Sequence, residues 1–203
     1  VITGPLIEDT TGTLYTAEDD YGTSLIFAGD VDNNWVRFAG FYWRIIRING
    51  DGSIRMIYSG EDTGSVTDAN RTGETTQIGT SVFNEQYDDN AYVGYMYGTP
   101  GSDTYEETHA NINDSIIKTV LDTWYQENLL SYSQYISTEA GFCGDRTYVK
   151  GNAYGTDVTN YGAYNRLISS NKIPSFECTN TADLYTVSGS SKGNQELTYP
   201  IGL

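Results

Sequence analysis

WVRFAGFYWRIIRINGDGSIRMIYSG, residues 35–60, is the strongest structural signal in the chain. Trp35 to Phe38, Phe41 to Ile48 and Ile54 to Tyr58 are rich in aromatic and β-branched side chains, which suit a pleated, half-buried surface. Asn49-Gly50-Asp51-Gly52 separates the last two runs with turn-forming residues, so the segment predicts an antiparallel hairpin. Side chains alternate along a strand: Tyr42, Arg44, Ile46 and Ile48 share one face, and Phe41, Trp43, Ile45 and Arg47 the other. Apolar residues on both faces predict a central hairpin covered on each side.

Before this hairpin, apolar residues are sparse. Two short strands are expected around residues 13–16 and 24–28, joined by the acidic turn Asp19-Asp20-Tyr21-Gly22. After it, residues 59–80 hold almost nothing to bury and read as a long surface loop or a pair of turns. From Phe83 to Tyr97 the chain is tyrosine-rich. There Val93, Tyr95 and Tyr97 alternate with Tyr92, Gly94 and Met96, which predicts a strand in which Gly94 admits a close approach.

One helix is expected, over about 114–130. Asn113, Asp114 and Ser115 offer N-cap candidates, and Asp114 with Lys118 adds an i,i+4 pair. Ile116, Ile117, Val120, Leu121, Trp124 and Tyr125 form one apolar stripe, which places Lys118, Thr119, Asp122, Thr123 and Gln126 in solvent. Residues 132–203 carry short apolar clusters between polar turns, the habit of an irregular region dominated by loops. The final LTYPIGL is strand-like with no hairpin after it: either it pairs back onto an earlier strand or the chain has been cut before its natural end. The fold class is therefore α+β, with a central antiparallel sheet, one main helix and long loops. With no repeat and no internal linker, 1–203 reads as a single domain, 1–33 being N-terminal strands or an extension and 34–203 the body.

Composition narrows the functional classes. The 203 residues include 27 Asp and Glu against 11 Lys and Arg, a net charge of −16. Such a surface repels phosphate, so nucleic acid is a poor partner. No apolar run approaches the roughly 20 residues of a membrane-spanning helix. The acids gather in turns, whereas the hairpin carries Arg37, Arg44, Arg47 and Arg55 and no acid before Asp51. A chain that begins at Val1 and is poor in Lys but rich in Thr, Asn, Ser, Gly and Tyr reads as a processed, exported bacterial surface segment. Cys143 and Cys178, 35 positions apart, form no zinc pattern; they are either a disulfide of an oxidising compartment or two buried thiols.

Several chemistries are testable on the sequence. His109 is the sole histidine, in ETHANIND; it would have to meet Cys143 or a Ser, no G-x-S-x-G elbow supports that, and it reads as exposed or capping. Glu18-Asp19-Asp20, Asp88-Asp89 and Glu106-Glu107 read as solvated turns rather than as the carboxylate pair of a glycoside hydrolase. Asp30-x-Asp32-x-Asn34 starts like a calcium loop, although Trp35 replaces the required Gly and Phe41 the bidentate Glu. Structural calcium is the one cation these residues suggest, and no other cofactor is expected. Tyr87, Tyr92, Tyr95, Tyr97 and Tyr105 either supply rigid contact area for a ligand or line a half-wet sheet with their hydroxyls outward.

NNWVRFAGFYWRIIRINGDGSIRMIYSG, AYVGYMYG, DSIIKTVLDTWYQENLLSYSQYI, FCGDR, FECTN and LTYPIGL, in that order, resemble a family of uncharacterised secreted or surface-anchored proteins of Gram-positive gut bacteria. The strand and helix order is also similar to C-type-lectin-like domains related to the formylglycine-generating-enzyme fold. The resemblance implies a C-type-lectin-like domain on a cell surface. It carries no catalytic residue across, because the calcium-lectin EPN, QPD and WND motifs are missing and Cys143 with Cys178 is not a close cysteine pair. The expected function is a non-enzymatic, surface-displayed domain that binds a glycan or a protein. The alternatives are the soluble head of a pilin-like or cell-wall subunit, with an assembly partner at the C-terminal strand, and a carboxylate-dependent glycoside hydrolase.

Overall fold

Ala39 and Gly40, with φ of 56° and 83°, turn the aromatic stretch back on itself as a two-residue hairpin loop of left-handed residues. A computed structural model describes residues 3–8, 13–67, 72–151, 158–164, 168, 176–178, 180, 183–187 and 195–196. They fall into two compact units, one from residues 1–80 with 175–177 and the other from 81–174 with 178–203. Together the units are mixed α+β, with mostly antiparallel sheets and one main helix.

The first unit is a six-stranded antiparallel sheet of β1 (Thr3–Glu8), β2 (Thr13–Asp19), β3 (Gly22–Ala28), β4 (Trp35–Phe38), β5 (Phe41–Ile48) and β6 (Ile54–Glu61). Its order is β1-β2-β3-β5-β4, with β6 on β5. One edge of β5 takes β6 along its whole length. The other edge is shared, β4 pairing with Phe41 to Arg44 and β3 with Arg47 and Ile48. Asn34 fills the joint: Ile45 N–H donates to its carbonyl at 2.9 Å, and its own Nδ2 donates to the Ile45 carbonyl at 2.7 Å. A side-chain amide thus stands in for the ladder where neither strand reaches.

The central hairpin is covered only in part. Tyr42 and Trp43 are buried, and Phe41, Trp43 and Tyr58 pack with ring centroids 5.5–6.4 Å apart. At the other end Ile46, Ile54 and Ile57 are 43%, 50% and 55% exposed, so coverage on both sides fails there. The acidic turn is corrected as well. Asp19 is buried, accepting from Ser24 Oγ at 2.5 Å and Tyr21 N at 2.7 Å and pairing with Arg47 at 3.3 Å. It holds the β2–β3 turn closed instead of facing water.

In the second unit, β7 (Met96–Tyr97) pairs with β8 (Asn113–Asp114), and the helices are α1 (Tyr105–Thr108), the main helix α2 (Ile116–Asn128) and the single turn α3 (Gly162–Tyr164). The short strands β9 (Phe142–Cys143), β10 (Tyr148–Lys150), β11 (Asn160–Tyr161), β12 (Leu184–Thr186) and β13 (Gln195–Glu196) complete it. β10 pairs with β11, and β12 lies between β9 and β13. Cys143 and Cys178 form a disulfide, consistent with an oxidising compartment. Among the described residues, no helix is long and apolar enough to cross a membrane.

Ser115 caps α2 through its hydroxyl, which accepts from Lys118 N at 3.1 Å. The buried arc of this helix differs from the expected stripe. Lys118, Asp122 and Tyr125 are buried, whereas Val120 is 40% exposed. Ser115, Lys118, Asp122, Tyr125 and Leu129 follow one another at three- and four-residue spacing, so they share a face. Lys118 is tolerated there because its ammonium bonds to Asp114 at 3.0 Å and Asp122 at 2.7 Å. The strand expected before the helix is reduced to Met96–Tyr97: Asp89 caps a 3-10 turn at Asn90–Tyr92 by accepting from Ala91 N, and Gly94, at φ 116°, breaks the extended run. LTYPIGL lies outside the described residues.

Candidate functional site

The irregular path of residues 82–95 leaves a half-open cleft of about 740 Å³ between this segment and the strand β9. Val82, Phe83, Tyr87 and Val93 line one wall, with Glu85 and Asp89 beside them, and Phe142, the Cys143 side of the disulfide, Gly144 and Tyr185 line the other. Several of its apolar groups face outward: Val82 is 64% exposed, Phe83 45% and Tyr87 fully. An apolar concavity with a few polar groups is the usual form of a binding site.

The wall is held by a buried ionic network. Arg146 and Asp183 are each 2% exposed at the side chain and bond at 2.7–2.8 Å. Asp183 also accepts from Arg146 N, and Arg146 donates on to the Met96 carbonyl and to Asn111 Oδ1. Asn111 adopts φ 55°, a left-handed conformation Asn tolerates, and its Oδ1 accepts from Tyr185 OH at 3.0 Å as well. The sequence FCGDR thereby places three features in succession: the disulfide, the Gly144 N–H bond to the Asp183 carbonyl, and the buried guanidinium. Gly94 is obligatory beside it, since a Cβ there would lie 2.6 Å from Arg146 Cδ. The sequence marked Gly94 as a point of close approach, but nothing in the spacing of Arg146 and Asp183 revealed their pairing.

Of the five tyrosines considered as ligand contacts, Tyr87, Tyr92 and Tyr95 line the cleft. Tyr97 packs on Tyr92 with centroids 5.1 Å apart. Tyr95 is buried against Tyr185 at 6.2 Å, and burial pushes both hydroxyls up, Tyr185 to about 12. Tyr105 belongs elsewhere: it stacks on His109 at 4.3 Å and meets Tyr148 at 5.3 Å.

His109 is buried, not exposed, as the C-cap residue of α1. Its Nδ1 lies 2.8 Å from Thr108 Oγ1 and 3.1 Å from the Tyr105 carbonyl. Nε2 is buried without a hydrogen-bond partner. Burial, with Arg146 nearby, lowers the ring to about 4, so it is neutral at pH 7. Cys143 is committed to its disulfide, which removes a Cys143–His109 pair.

The residues of the calcium-like triplet differ in burial. Asp30 and Asp32 are exposed, and Asn34 turns its carboxamide inward to Ile45 and Arg44. No group of three or more His, Cys, Asp or Glu placed to hold a metal occurs among the described residues. No protein family, curated protein or solved structure matches the chain.

Proposed function

We propose that the chain is an exported, surface-displayed binding domain whose second unit takes an external ligand in the cleft between residues 82–95 and β9. The observation that carries this reading is the cleft itself, about 740 Å³ with an exposed apolar mouth and one wall cross-linked by the Cys143–Cys178 disulfide. The C-type-lectin-like character and the bacterial surface location expected from the sequence are part of the proposal. The α+β organisation, the long irregular segments and the disulfide support it.

The test is retention of ligands on a glycan array and an array of short peptides, comparing the wild type with Tyr87→Ala and Val93→Trp. Tyr87 is fully exposed, so its removal leaves the fold intact, and the indole introduced by Val93→Trp fills the cleft. Binding that is lost in both variants is expected. Two empty arrays, or binding undiminished in both variants, overturn the reading.

A second reading, the carboxylate-dependent hydrolase, draws on Glu85 and Asp89 bordering the same cleft. It requires turnover of a retained glycan, abolished by Glu85→Gln or Asp89→Asn. Retention without turnover removes it. The assembly-subunit alternative depends on the C-terminal strand, outside the described residues.

A further inference from the structure

The cleft is chemically one-sided. Among the described residues its lining includes two carboxylates, Glu85 and Asp89, and no Lys, Arg or His. Arg146, which closely approaches Gly94 of the lining, is buried and paired with Asp183. Asp89 spends one oxygen locally, as the acceptor of Ala91 N. The aromatic groups around these acids, Phe83, Tyr87, Tyr92 and Phe142, offer π faces that attract a cation and apolar area that takes an aliphatic stem. A net charge of −16 adds a long-range field that draws cations toward the surface.

We infer that the occupant of the cleft is an apolar peptide segment carrying a Lys or Arg, the basic head paired with Glu85 and Asp89 and the flanking side chains seated against the aromatic walls. This rests on the proposal that the cleft is a binding site. A neutral glycan would use the carboxylates as hydroxyl acceptors but would leave the predominantly apolar lining poorly matched. An anionic partner would meet two carboxylates with no compensating cation among the described lining residues.

The test offers the whole disulfide-bonded chain an array of short random peptides and, in parallel, a glycan array. Retained peptides should share a basic residue between apolar ones. Glu85→Gln with Asp89→Asn keeps the shape of both side chains, and the carboxamide oxygen introduced by Asp89→Asn still accepts from Ala91 N. The double substitution should weaken the best peptide about ten-fold at low ionic strength and remove most of its salt dependence. Replacing the basic residue of the peptide by norleucine should weaken binding to the wild type by a similar factor. If ligands are retained and lost on Tyr87→Ala, but are glycans or are indifferent to the double substitution, the cationic inference falls and the cleft stands as a binding site. If nothing is retained, or retention ignores Tyr87→Ala and Val93→Trp, both fall.

Discussion

Arg146 and Asp183, 37 positions apart, form an ion pair with both side chains 2% exposed, and the Asp183 carboxylate also accepts from the backbone N–H of Arg146. Burying such a pair is tolerated only because the remaining donors are used, on Met96 and Asn111. Removing one partner strands the other. Asp183→Asn should cost about 3–5 kcal/mol of unfolding free energy, measured by urea denaturation. Arg146→Met combined with Asp183→Leu should cost less than the two single substitutions summed. Strict additivity would contradict the pairing.

Gly94 and Gly101 separate two effects of a methyl group. Both have positive φ, 116° and 85°, but a Cβ at 94 would sit 2.6 Å from Arg146 Cδ, whereas at 101 it meets nothing within 4 Å. Gly101→Ala should cost about 1 kcal/mol, from backbone strain alone. Gly94→Ala should cost clearly more, about 2–3 kcal/mol, because the guanidinium must also move. Equal midpoints in urea would refute the contact.

The buried His109 ring makes stability depend on pH. Its folded value, about 4, lies below the ordinary 6.5, so between these the unfolded chain takes up a proton that the folded chain refuses. Stability therefore falls as pH drops from about 6.5 toward 4. Asp122 works in the opposite sense, since burial raises its carboxyl above its ordinary value despite Lys118. Comparing urea midpoints at pH 7 and pH 4.5, the wild type should lose more stability than His109→Gln. The carboxylates are common to both proteins, so an identical loss would show that the ring takes no part.

Cys143 and Cys178 close a loop of 35 positions that contributes Cys143 and Gly144 to one wall of the cleft. Replacing both by Ser should cost about 3–4 kcal/mol in the chain-entropy account, read as a lowered Tm against the oxidised wild type. Ligand retention should weaken with it, since the wall bearing Phe142 and Gly144 is no longer tethered. A variant with unchanged Tm would contradict the structural role of the bridge.

Helix α2 offers a direct comparison of its two faces. Val120→Ser, at an exposed position, should change stability by no more than about 0.5 kcal/mol. Lys118→Met should cost about 3 kcal/mol, because Asp122 is buried, one of its oxygens has no hydrogen-bond partner and the other loses its cation. The reverse ranking in thermal melts would restore the apolar stripe as the buried face.

Local pattern carried the parts of the fold that rest on neighbours in sequence. The alternation in Phe41–Ile48, the turn at residues 49–52 and the Ser115 cap follow from side-chain period, turn chemistry and capping geometry. The Asp114–Lys118 pair is equally local, four residues on one helix. Tyr87, Tyr92 and Tyr95 were legible as candidates because they cluster along the chain, although only the cleft distinguishes them from Tyr105.

Composition and periodicity by themselves determined an acidic α+β chain with an aromatic hairpin, one main helix and no basic stripe. Tertiary structure alone decided which polar groups go inside: Asp19 on Arg47, Lys118 between two carboxylates, His109 beneath Tyr105, Arg146 on Asp183. A charge is buried only where a partner waits, and that partner can come from any point in the sequence, so hydropathy read along the chain assigns it to solvent. The cleft has the same origin, because its walls, residues 82–95 on one side and 142–144 with Tyr185 on the other, meet only in the folded chain.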